Sequence, residues 1–289
     1  MSERLQQRPD EQGSASPAAR PATSPPFPAT PADAGGDRSA ERVPTRRALR
    51  TTVVWDVLRA ALATQTAGVD RTTLDVLDAG GGTGGFAVPL AQLGHHVTVV
   101  DPSPDALAAL ERRVAEAGVD GRITAIQGDT ATLDELVPAG SVDVALCHGV
   151  LEHVDDPGVA LAAVAACLRP GGALSVLAAN RYAVVLARAV AGHVSDARHA
   201  LADPDGRWGP GDPMPRRFSE EDLHRLLAGA GLRVEAVHGV RVVTDLVPGS
   251  LIDGEPGGAV ALLELEAAAA EHPAFRAVAS QLHLLATRH

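Results

Sequence analysis

The stretch Asp78-Ala79-Gly80-Gly81-Gly82-Thr83-Gly84 decides how the rest of the chain is interpreted. It directly follows the apolar run Leu74–Leu77 and precedes a stretch with helical spacing, Gly85–Leu93. Glycines at this position allow a tight turn and let a ligand approach the backbone closely. Nucleotide-binding folds of many kinds use such a turn, so by itself it predicts only a ligand site at the end of the first strand.

Apolar runs and amphipathic stretches alternate on both sides of this turn. The runs predicted as strands are Leu74–Leu77, Val97–Val100, Ile123–Ile126, Val142–Cys147, Ala173–Ala178, Val234–Val243 and Gln281–Ala286. A helix is predicted from Arg46 onward, and further helices are predicted at Gly85–Leu93, Pro104–Ala117, Thr132–Leu136, Val159–Leu168, Tyr182–Val190, Ser219–Ala228 and Ala259–Ala270. The proline-containing stretch Ser195–Arg217 is expected to be a long loop. This alternation predicts an α/β fold with a doubly wound, seven-stranded, mostly parallel sheet of the Rossmann type.

Composition restricts the possible partners and the cellular compartment. Residues 1–43 are rich in Pro, Ala and Ser and are predicted to be a disordered tail, whereas residues 44–289 are predicted to be one folded domain.

The net charge of −11 argues against broad, non-specific nucleic-acid binding, although a local arginine patch is compatible with it. The two cysteines have no metal-ligand spacing, so no metal is expected. No run has the length of a membrane span and no compact signal peptide is present, so we expect a cytoplasmic protein without a membrane partner. The sequence does not indicate an oligomeric state.

Polar side chains follow the predicted strands at the edge where parallel sheets bind ligands. Asp78 can receive a ligand ammonium, and Asp101, at the end of the next strand, can accept hydrogen bonds from a ribose diol. Asp129 and Thr130 follow the third strand and are positioned for an adenine edge, and His148 ends the fourth strand. The alternative for Asp78 and Asp101 is helix capping, and Asp129 fits a cap of the next helix equally well.

The order of these motifs resembles the class I S-adenosylmethionine-dependent methyltransferases. The resemblance covers about Leu74 to Leu177 and includes the turn Leu168-Arg169-Pro170-Gly171-Gly172 before strand five. It implies that S-adenosylmethionine is the cofactor, held by Asp78, by Gly80, Gly81 and Gly82, and by Asp101, Asp129 and Thr130. It implies nothing about the methyl acceptor.

A narrower resemblance extends over most of the domain and suggests an acceptor. Segments similar to bacterial tRNA 5-carboxymethoxyuridine methyltransferases are Leu49-Arg50 with Trp55, His148-Gly149-Val150-Leu151-Glu152, Ala191-Gly192, Gly239-Val240-Arg241-Val242 with Asp245, Ala261-Leu262-Leu263-Glu264-Leu265-Glu266, and His283. Those enzymes esterify the carboxylate on a wobble uridine, so the resemblance implies tRNA as partner and cofactor contacts by Arg50 and His148. An arginine such as Arg50 can clamp a cofactor carboxylate through two hydrogen bonds. The family's lysine-rich run after the Ala-Gly pair is replaced here by Ser195–Asp203, which contains no lysine.

A carboxylate acceptor places one particular demand on the enzyme. It is ionised near pH 7 and needs no general base, but it needs a cation to orient it. The candidates are Arg241, Arg181 and Arg216, with Arg241 first because it falls within a predicted strand. Two alternatives stay open: a small-molecule O- or N-methyltransferase, for which the acidic surface is no obstacle, and a catalytically inactive S-adenosylmethionine-binding partner subunit.

Overall fold

The computed structural model describes residues 46–67, 72–248, 252 and 256–289, and for residues 46–50 it describes the backbone alone. The predicted tail, residues 1–43, lies outside the described residues. The division of the chain at residue 43 therefore stays a prediction.

Strands and helices alternate through most of the described chain. The strands are β1 (Asp75–Ala79), β2 (His96–Asp101), β3 (Ile123–Gln127), β4 (Val142–His148), β5 (Leu168–Ala179), β6 (Leu232–Val240) and β7 (Gln281–Arg288). The helices are α1 (Arg46–Ala67), α2 (Ala87–Gln92), α3 (Pro104–Ala117), α4 (Leu133–Leu136), α5 (Pro157–Cys167), α6 (Arg181–Val190), α7 (Val194–Ala202), α8 (Glu220–Gly229), α9 (Gly258–Glu271) and α10 (Pro273–Arg276). Strand β5 begins five residues earlier than predicted and includes the Arg-Pro-Gly-Gly turn, where its pairing with β4 shifts register.

The seven strands form one sheet in the order β3-β2-β1-β4-β5-β7-β6, which confirms the predicted fold class. Strands β1 to β5 pair with one another in parallel, and β7 is antiparallel to both β5 and β6. Strand order reverses between β1 and β4, the position at which open α/β sheets bind ligands. Because β6 and β5 are both antiparallel to β7, the carboxyl end of β6 lies at the same edge as the ends of β1 to β5.

Apolar side chains cover both faces of the sheet. One face packs against α1, α2 and α3, where Leu58, Leu90 and Leu110 are fully buried. The other packs against α5 and α8, where Leu161 and Leu223 are fully buried. Strands buried on both faces explain the continuous apolar runs in the sequence. Across the described ranges, no helix combines the length and the apolar character needed to cross a membrane.

The prediction of one long loop at Ser195–Arg217 was wrong in its first part, because Val194–Ala202 forms helix α7. Ala197 and Ala200, three residues apart, are buried and give this helix its inner face. Small alanine side chains between polar residues carry little hydrophobic signal, which is why the sequence pattern missed the helix.

The prediction that Arg241 lies on a strand was also wrong. Strand β6 ends at Val240, and Arg241 has a φ of 59°, a backbone conformation that residues other than glycine rarely adopt. The buried carboxylate of Glu266 on α9 accepts hydrogen bonds from the next three backbone N–H groups, those of Val242, Val243 and Thr244. These bonds draw the chain away from the sheet directly after Arg241.

Candidate active site at the carboxyl edge of the sheet

The glycine-rich turn after β1 has a conformation that its sequence requires. Gly80 and Gly82 have φ values of 73° and 54°, which glycine adopts without steric cost. A Cβ atom on Gly81 would lie 2.6 Å from the carboxyl carbon of Asp78, so a side chain there would displace that carboxylate. The turn therefore brings backbone and carboxylate together at the first strand end.

Asp78 is a buried carboxylate with an unsatisfied oxygen. Its side chain is 2% exposed, and among the described residues its Oδ2 atom has no hydrogen-bond partner. Burial, and secondarily the negative charge of Asp101, raise the pKa of Asp78 from 3.8 to about 7. A cation bound beside Asp78 would stabilise its ionised form and so pair with the buried carboxylate.

Asp101, at the end of β2, already holds the glycine turn. Its Oδ2 atom accepts a hydrogen bond of 2.8 Å from the backbone N–H of Gly82, and its Oδ1 atom accepts one of 2.9 Å from Ser103. The N-cap of α3 is Ser103, whose hydroxyl accepts from the N–H of Ala106, so Asp101 does not cap that helix. Asp101 lies at the ligand edge, and each of its carboxylate oxygens can accept a second hydrogen bond.

A cavity of about 560 Å³ opens along this edge. Its lining is Ala79, Gly80, Val100, Asp101, Pro102, Asp129, Thr130, Ala131, Leu133, Gly149, Val150, His153, Val154, Asp155, Asp156, Val159 and Ala160. The volume falls within the range of sites for small molecules and cofactors. Of the predicted cofactor residues, the cavity brings together Gly80, Asp101, Asp129 and Thr130.

Asp129 and Thr130 differ in their surroundings. Asp129 is exposed, and its carboxylate accepts hydrogen bonds from the backbone N–H groups of Ala131 and Thr132 in the turn before α4. The N-cap residue of α4 is Thr132, so Asp129 does not cap that helix. Thr130 is buried in the cavity wall.

His148, at the end of β4, is a neutral imidazole in an aromatic setting. Burial lowers the pKa of His148 to about 3. Its ring meets Phe86 edge to face at 4.6 Å between centroids, and Phe86 stacks on Trp55 at 5.0 Å. Its Nε2 atom lies 2.8 Å from the hydroxyl of Ser175. The side chain of Arg50, the other residue predicted to contact the cofactor, lies outside the described residues.

The three candidate acceptor cations have different partners. Arg241 is held by Asp245 and, at 3.5 Å, by Gln281, while its Nε atom is buried without a partner among the described residues. Arg181 donates to the backbone carbonyls of Asp203 and Pro204, and Arg216 donates to the carbonyl of Asp155. Of the three, Arg241 directs its guanidinium to side chains at the carboxyl edge.

Comparison with known proteins assigns this fold to one family. A family model described as a methyltransferase domain matches residues 50–237, more than half of the chain. The chain belongs to the class I S-adenosylmethionine-dependent methyltransferases. S-adenosylmethionine is therefore the cofactor of this methyltransferase.

Two curated relatives of the methyltransferase carry different acceptors in their names. The ubiquinone biosynthesis O-methyltransferase of Caulobacter vibrioides is 36% identical over 171 residues, which are 58% of this chain and 62% of that protein. The tRNA 5-carboxymethoxyuridine methyltransferase of Escherichia coli K12 is 30% identical over 201 residues, which are 70% of this chain and 74% of that protein. The chain thus spans less than two thirds of the length of the Caulobacter protein.

Solved structures agree on the fold of the methyltransferase. The magnesium protoporphyrin IX methyltransferase of Synechocystis PCC 6803 has a TM-score of 0.53 at 17% identity and covers 88% of this chain and 90% of that one. An S-adenosylmethionine-dependent methyltransferase of Mesorhizobium loti has a TM-score of 0.54 at 22% identity and covers 83% of this chain and all of that one.

The residues of the methyltransferase fit its cofactor in charge as well as in shape. The unpartnered oxygen of Asp78 suits the ammonium of the methionine portion, and the carboxylate of Asp101 suits the ribose diol. Thr130 and Val150 line the cavity beyond Asp101, where an apolar adenine ring can be covered.

Several site residues of the methyltransferase were not predicted from its sequence. Val150 and His153 line the cavity on the loop after β4. Glu152 is buried in the same loop and accepts a 2.7 Å hydrogen bond from the backbone N–H of Ala179, which ties the loop to the end of β5. The position of this loop directly after His148 could have indicated that it belongs to the site. The hydrogen bond between Glu152 and Ala179 could not, because the two residues are distant in sequence.

Proposed function

We propose that the methyltransferase transfers the methyl group of S-adenosylmethionine to a carboxylate oxygen of its acceptor, and that Arg241 orients that carboxylate. The observation that carries the proposal is the position of Arg241 at the carboxyl edge, where Asp245 and Gln281 engage part of its guanidinium and the side chain stays 29% exposed. A guanidinium that keeps an unused donor can form the paired hydrogen bonds by which arginine binds carboxylates.

The surroundings of Arg241 support an orienting role. Its side chain is 29% exposed, so a ligand can reach it, and Asp245 and Gln281 restrict its rotamer. The salt bridge with Asp245 also offsets part of its positive charge. An acceptor carboxylate held by a partly neutralised cation keeps more of its nucleophilicity than one held by an isolated cation.

The chemistry demands little more than alignment. Bound S-adenosylmethionine supplies an activated methyl group on a sulfonium. Asp78 binds the ammonium and Asp101 the ribose, so that the donor is fixed at the end of β1. His148 is uncharged at neutral pH and adds no positive charge to the edge that receives the sulfonium. No residue has to remove a proton, because a carboxylate is already ionised.

The specific acceptor that we propose is the carboxylate of a modified wobble uridine in tRNA. It is supported by the similarity to the Escherichia coli tRNA 5-carboxymethoxyuridine methyltransferase, which covers 74% of that protein. The chain contains no lysine and has a net charge of −11, so tRNA contacts would depend on arginines. A small-molecule hydroxyl acceptor is the competing assignment, supported by the Caulobacter relative named as an O-methyltransferase.

Incubation with S-adenosylmethionine labelled in its methyl group tests these assignments. The acceptors are tRNA that contains carboxymethoxyuridine, small carboxylic acids and phenols. A methyl ester releases methanol in mild base, whereas a methyl ether or methylamine does not. We expect base-labile product on the carboxylate acceptors. Base-stable product confined to phenols or amines would refute the carboxylate proposal, and cofactor binding without any transfer would favour the inactive partner subunit.

Substitution of Arg241 by Lys tests the residue. We expect turnover to fall by about tenfold or more, because Lys cannot form paired hydrogen bonds, while affinity for S-adenosylhomocysteine stays unchanged. Arg112→Lys, on the exposed surface of α3, is the matched control and should retain full turnover. Equal turnover in both variants would exclude Arg241 as the orienting residue.

A further inference from the structure

A serine hydroxyl lies between two histidines beside the active site. The Oγ atom of Ser175 on β5 is 2.8 Å from Nε2 of His148 on β4 and 2.8 Å from Nε2 of His283 on β7. Ser175 and His283 are fully buried, whereas His148 is partly exposed at the carboxyl edge. The three side chains form a continuous hydrogen-bonded row across three neighbouring strands.

Proton counting determines how the row can be arranged. Burial lowers the pKa of His148 to about 3 and that of His283 well below its ordinary value, so both rings are neutral near pH 7. A neutral imidazole has one N–H and one bare nitrogen, and a serine hydroxyl has one proton. Ser175 therefore accepts from one Nε2 and donates to the other. The two histidines must have opposite tautomers.

The position of each ring decides the direction of the row. Nδ1 of His148 and Nδ1 of His283 are both buried without a hydrogen-bond partner among the described residues, and one of them must carry an N–H, which is costly without an acceptor. His283 is 0% exposed, whereas His148 is partly exposed at the carboxyl edge, where a bound ligand can supply that acceptor. The ring of His238, with its centroid 5.8 Å from that of His283, forms no hydrogen bond with it. His283 thus keeps its proton on Nε2 and donates to Ser175, which donates to Nε2 of His148. The proton of His148 is then on Nδ1.

We propose that Ser175 and His283 are positioning residues that hold His148 in the Nδ1–H tautomer, so that His148 presents a neutral hydrogen-bond donor to a carboxylate of a bound ligand. Nδ1 of His148 is buried and has no partner among the described residues, so its N–H gains an acceptor when a ligand packs against the partly exposed ring. A neutral donor orients a carboxylate without adding a second full positive charge at the edge where Arg241 lies. The ligand assignment rests on the proposed function, whereas the tautomer does not.

A metal site is the competing explanation for clustered histidines. Within the described ranges, no group of three or more His, Cys, Asp or Glu side chains has a geometry that could hold a metal ion. The rings of His148 and His283 both direct Nε2 at the serine hydroxyl instead.

The tautomers can be measured directly in the ligand-free enzyme. Long-range ¹H–¹⁵N NMR spectra of protein labelled with ¹⁵N-histidine distinguish Nδ1–H from Nε2–H, and His148→Asn and His283→Asn assign the two rings. We expect Nδ1–H for His148 and Nε2–H for His283. The reverse order, equal tautomers or a charged ring near pH 7 would overturn the proposal, whatever the acceptor of the enzyme.

Ligand additions then identify the carboxylate. S-adenosylhomocysteine has one, and 5′-methylthioadenosine, which lacks the amino-acid portion, does not. A shift of the His148 Nδ1 proton with the first ligand alone supports a contact with the cofactor carboxylate. A shift that appears only when a carboxylate acceptor is added supports a contact with the acceptor. No shift in any of these additions would overturn the donor role.

Removal of the serine hydroxyl tests the positioning. Ser175→Ala should give His148 a mixture of tautomers. It should also weaken the binding of whichever probe shifts the Nδ1 proton, S-adenosylhomocysteine or the carboxylate acceptor, about tenfold, which corresponds to about 1.4 kcal/mol. Thr287→Val removes a hydroxyl–carboxylate hydrogen bond elsewhere on β7 and should leave both properties unchanged. Unchanged tautomer and affinity in Ser175→Ala would overturn the proposal, and the wild-type spectra test it independently should this variant fold poorly.

Discussion

Lowering the pH from about 7.5 to about 6 should weaken the binding of S-adenosylhomocysteine about eightfold, because Asp78 must be ionised to pair with the ligand ammonium. The pKa of Asp78 in the ligand-free protein is raised by burial to about 7. The ionised fraction is then about three quarters at the higher pH and about one tenth at the lower. The ligand ammonium stays charged across this range, so the protein determines the change.

Isothermal titration calorimetry measures both the affinity and the protons released. At pH 7 about half of the Asp78 side chains are protonated, so binding should release about half a proton per site, seen as a dependence of the heat on the buffer. 5′-Methylthioadenosine, which has no ammonium, is the control and should bind equally at both pH values. Pairing between Asp78 and the ligand ammonium is refuted if the affinity for S-adenosylhomocysteine is independent of pH or is retained in Asp78→Asn.

The same carboxylate should destabilise the ligand-free protein at high pH. A carboxyl group whose pKa is higher in the folded than in the unfolded state costs nothing below the unfolded value of 3.8, and its cost grows until pH 7, above which it is constant. The two pKa values correspond to a full cost of about 4 kcal/mol. Asp78→Asn should therefore raise the free energy of unfolding more at pH 7.5 than at pH 5, as measured by urea denaturation. A gain that shrinks as the pH rises would contradict the raised pKa.

Three further substitutions test the parts of the site. Asp101→Ala should weaken S-adenosylmethionine binding by about 1.5–3 kcal/mol, because the ribose loses a charged acceptor, and equal calorimetric affinity would rule out the ribose assignment. Gly81→Ala should also weaken S-adenosylmethionine binding, because the added Cβ would lie 2.6 Å from the carboxyl carbon of Asp78. Gly121→Ala is the control, since its Cβ would meet open space, and it should leave the calorimetric affinity unchanged. Glu266→Ala should lower the free energy of unfolding by about 3 kcal/mol or more, because three backbone N–H groups lose their acceptor. Glu266→Gln should lower it less. A urea midpoint unchanged in both variants would show that these hydrogen bonds do not stabilise the fold.

The strand ends that carry the proposed cofactor residues could be predicted because their signals are local in the sequence. Each acid directly follows a buried apolar run: Asp78 follows the first and Asp101 the second. The glycine turn that contains Gly80 comes immediately after Asp78 and Ala79. Parallel strands bring their carboxyl ends to one edge, so finding the strands also gives the neighbours of the site. The helix at Ser219–Ala228 was predicted for the same reason, since its capping box joins Ser219 and Asp222, which lie within four residues of each other.

The remaining features depend on contacts between distant residues. The backbone turn at Arg241 is caused by Glu266, twenty-five residues later, and a pattern of apolar residues on β6 contains no sign of it. The row from His148 through Ser175 to His283 joins residues 27 and 108 positions apart. In sequence, each of these side chains is compatible with an ordinary strand residue.

The proposed role of Arg241 in orienting the acceptor therefore depends on helix α9 as much as on the sheet. The guanidinium of Arg241 can face the edge because β6 stops at Val240, and β6 stops there because Glu266 takes the three following N–H groups. A positive φ at a non-glycine residue costs about 1 kcal/mol or more and persists when surrounding bonds impose it. The strain at Arg241 and the buried carboxylate that imposes it are thus parts of one arrangement. A related chain that keeps the arginine but lacks the carboxylate on α9 should hold its guanidinium differently and accept a different substrate.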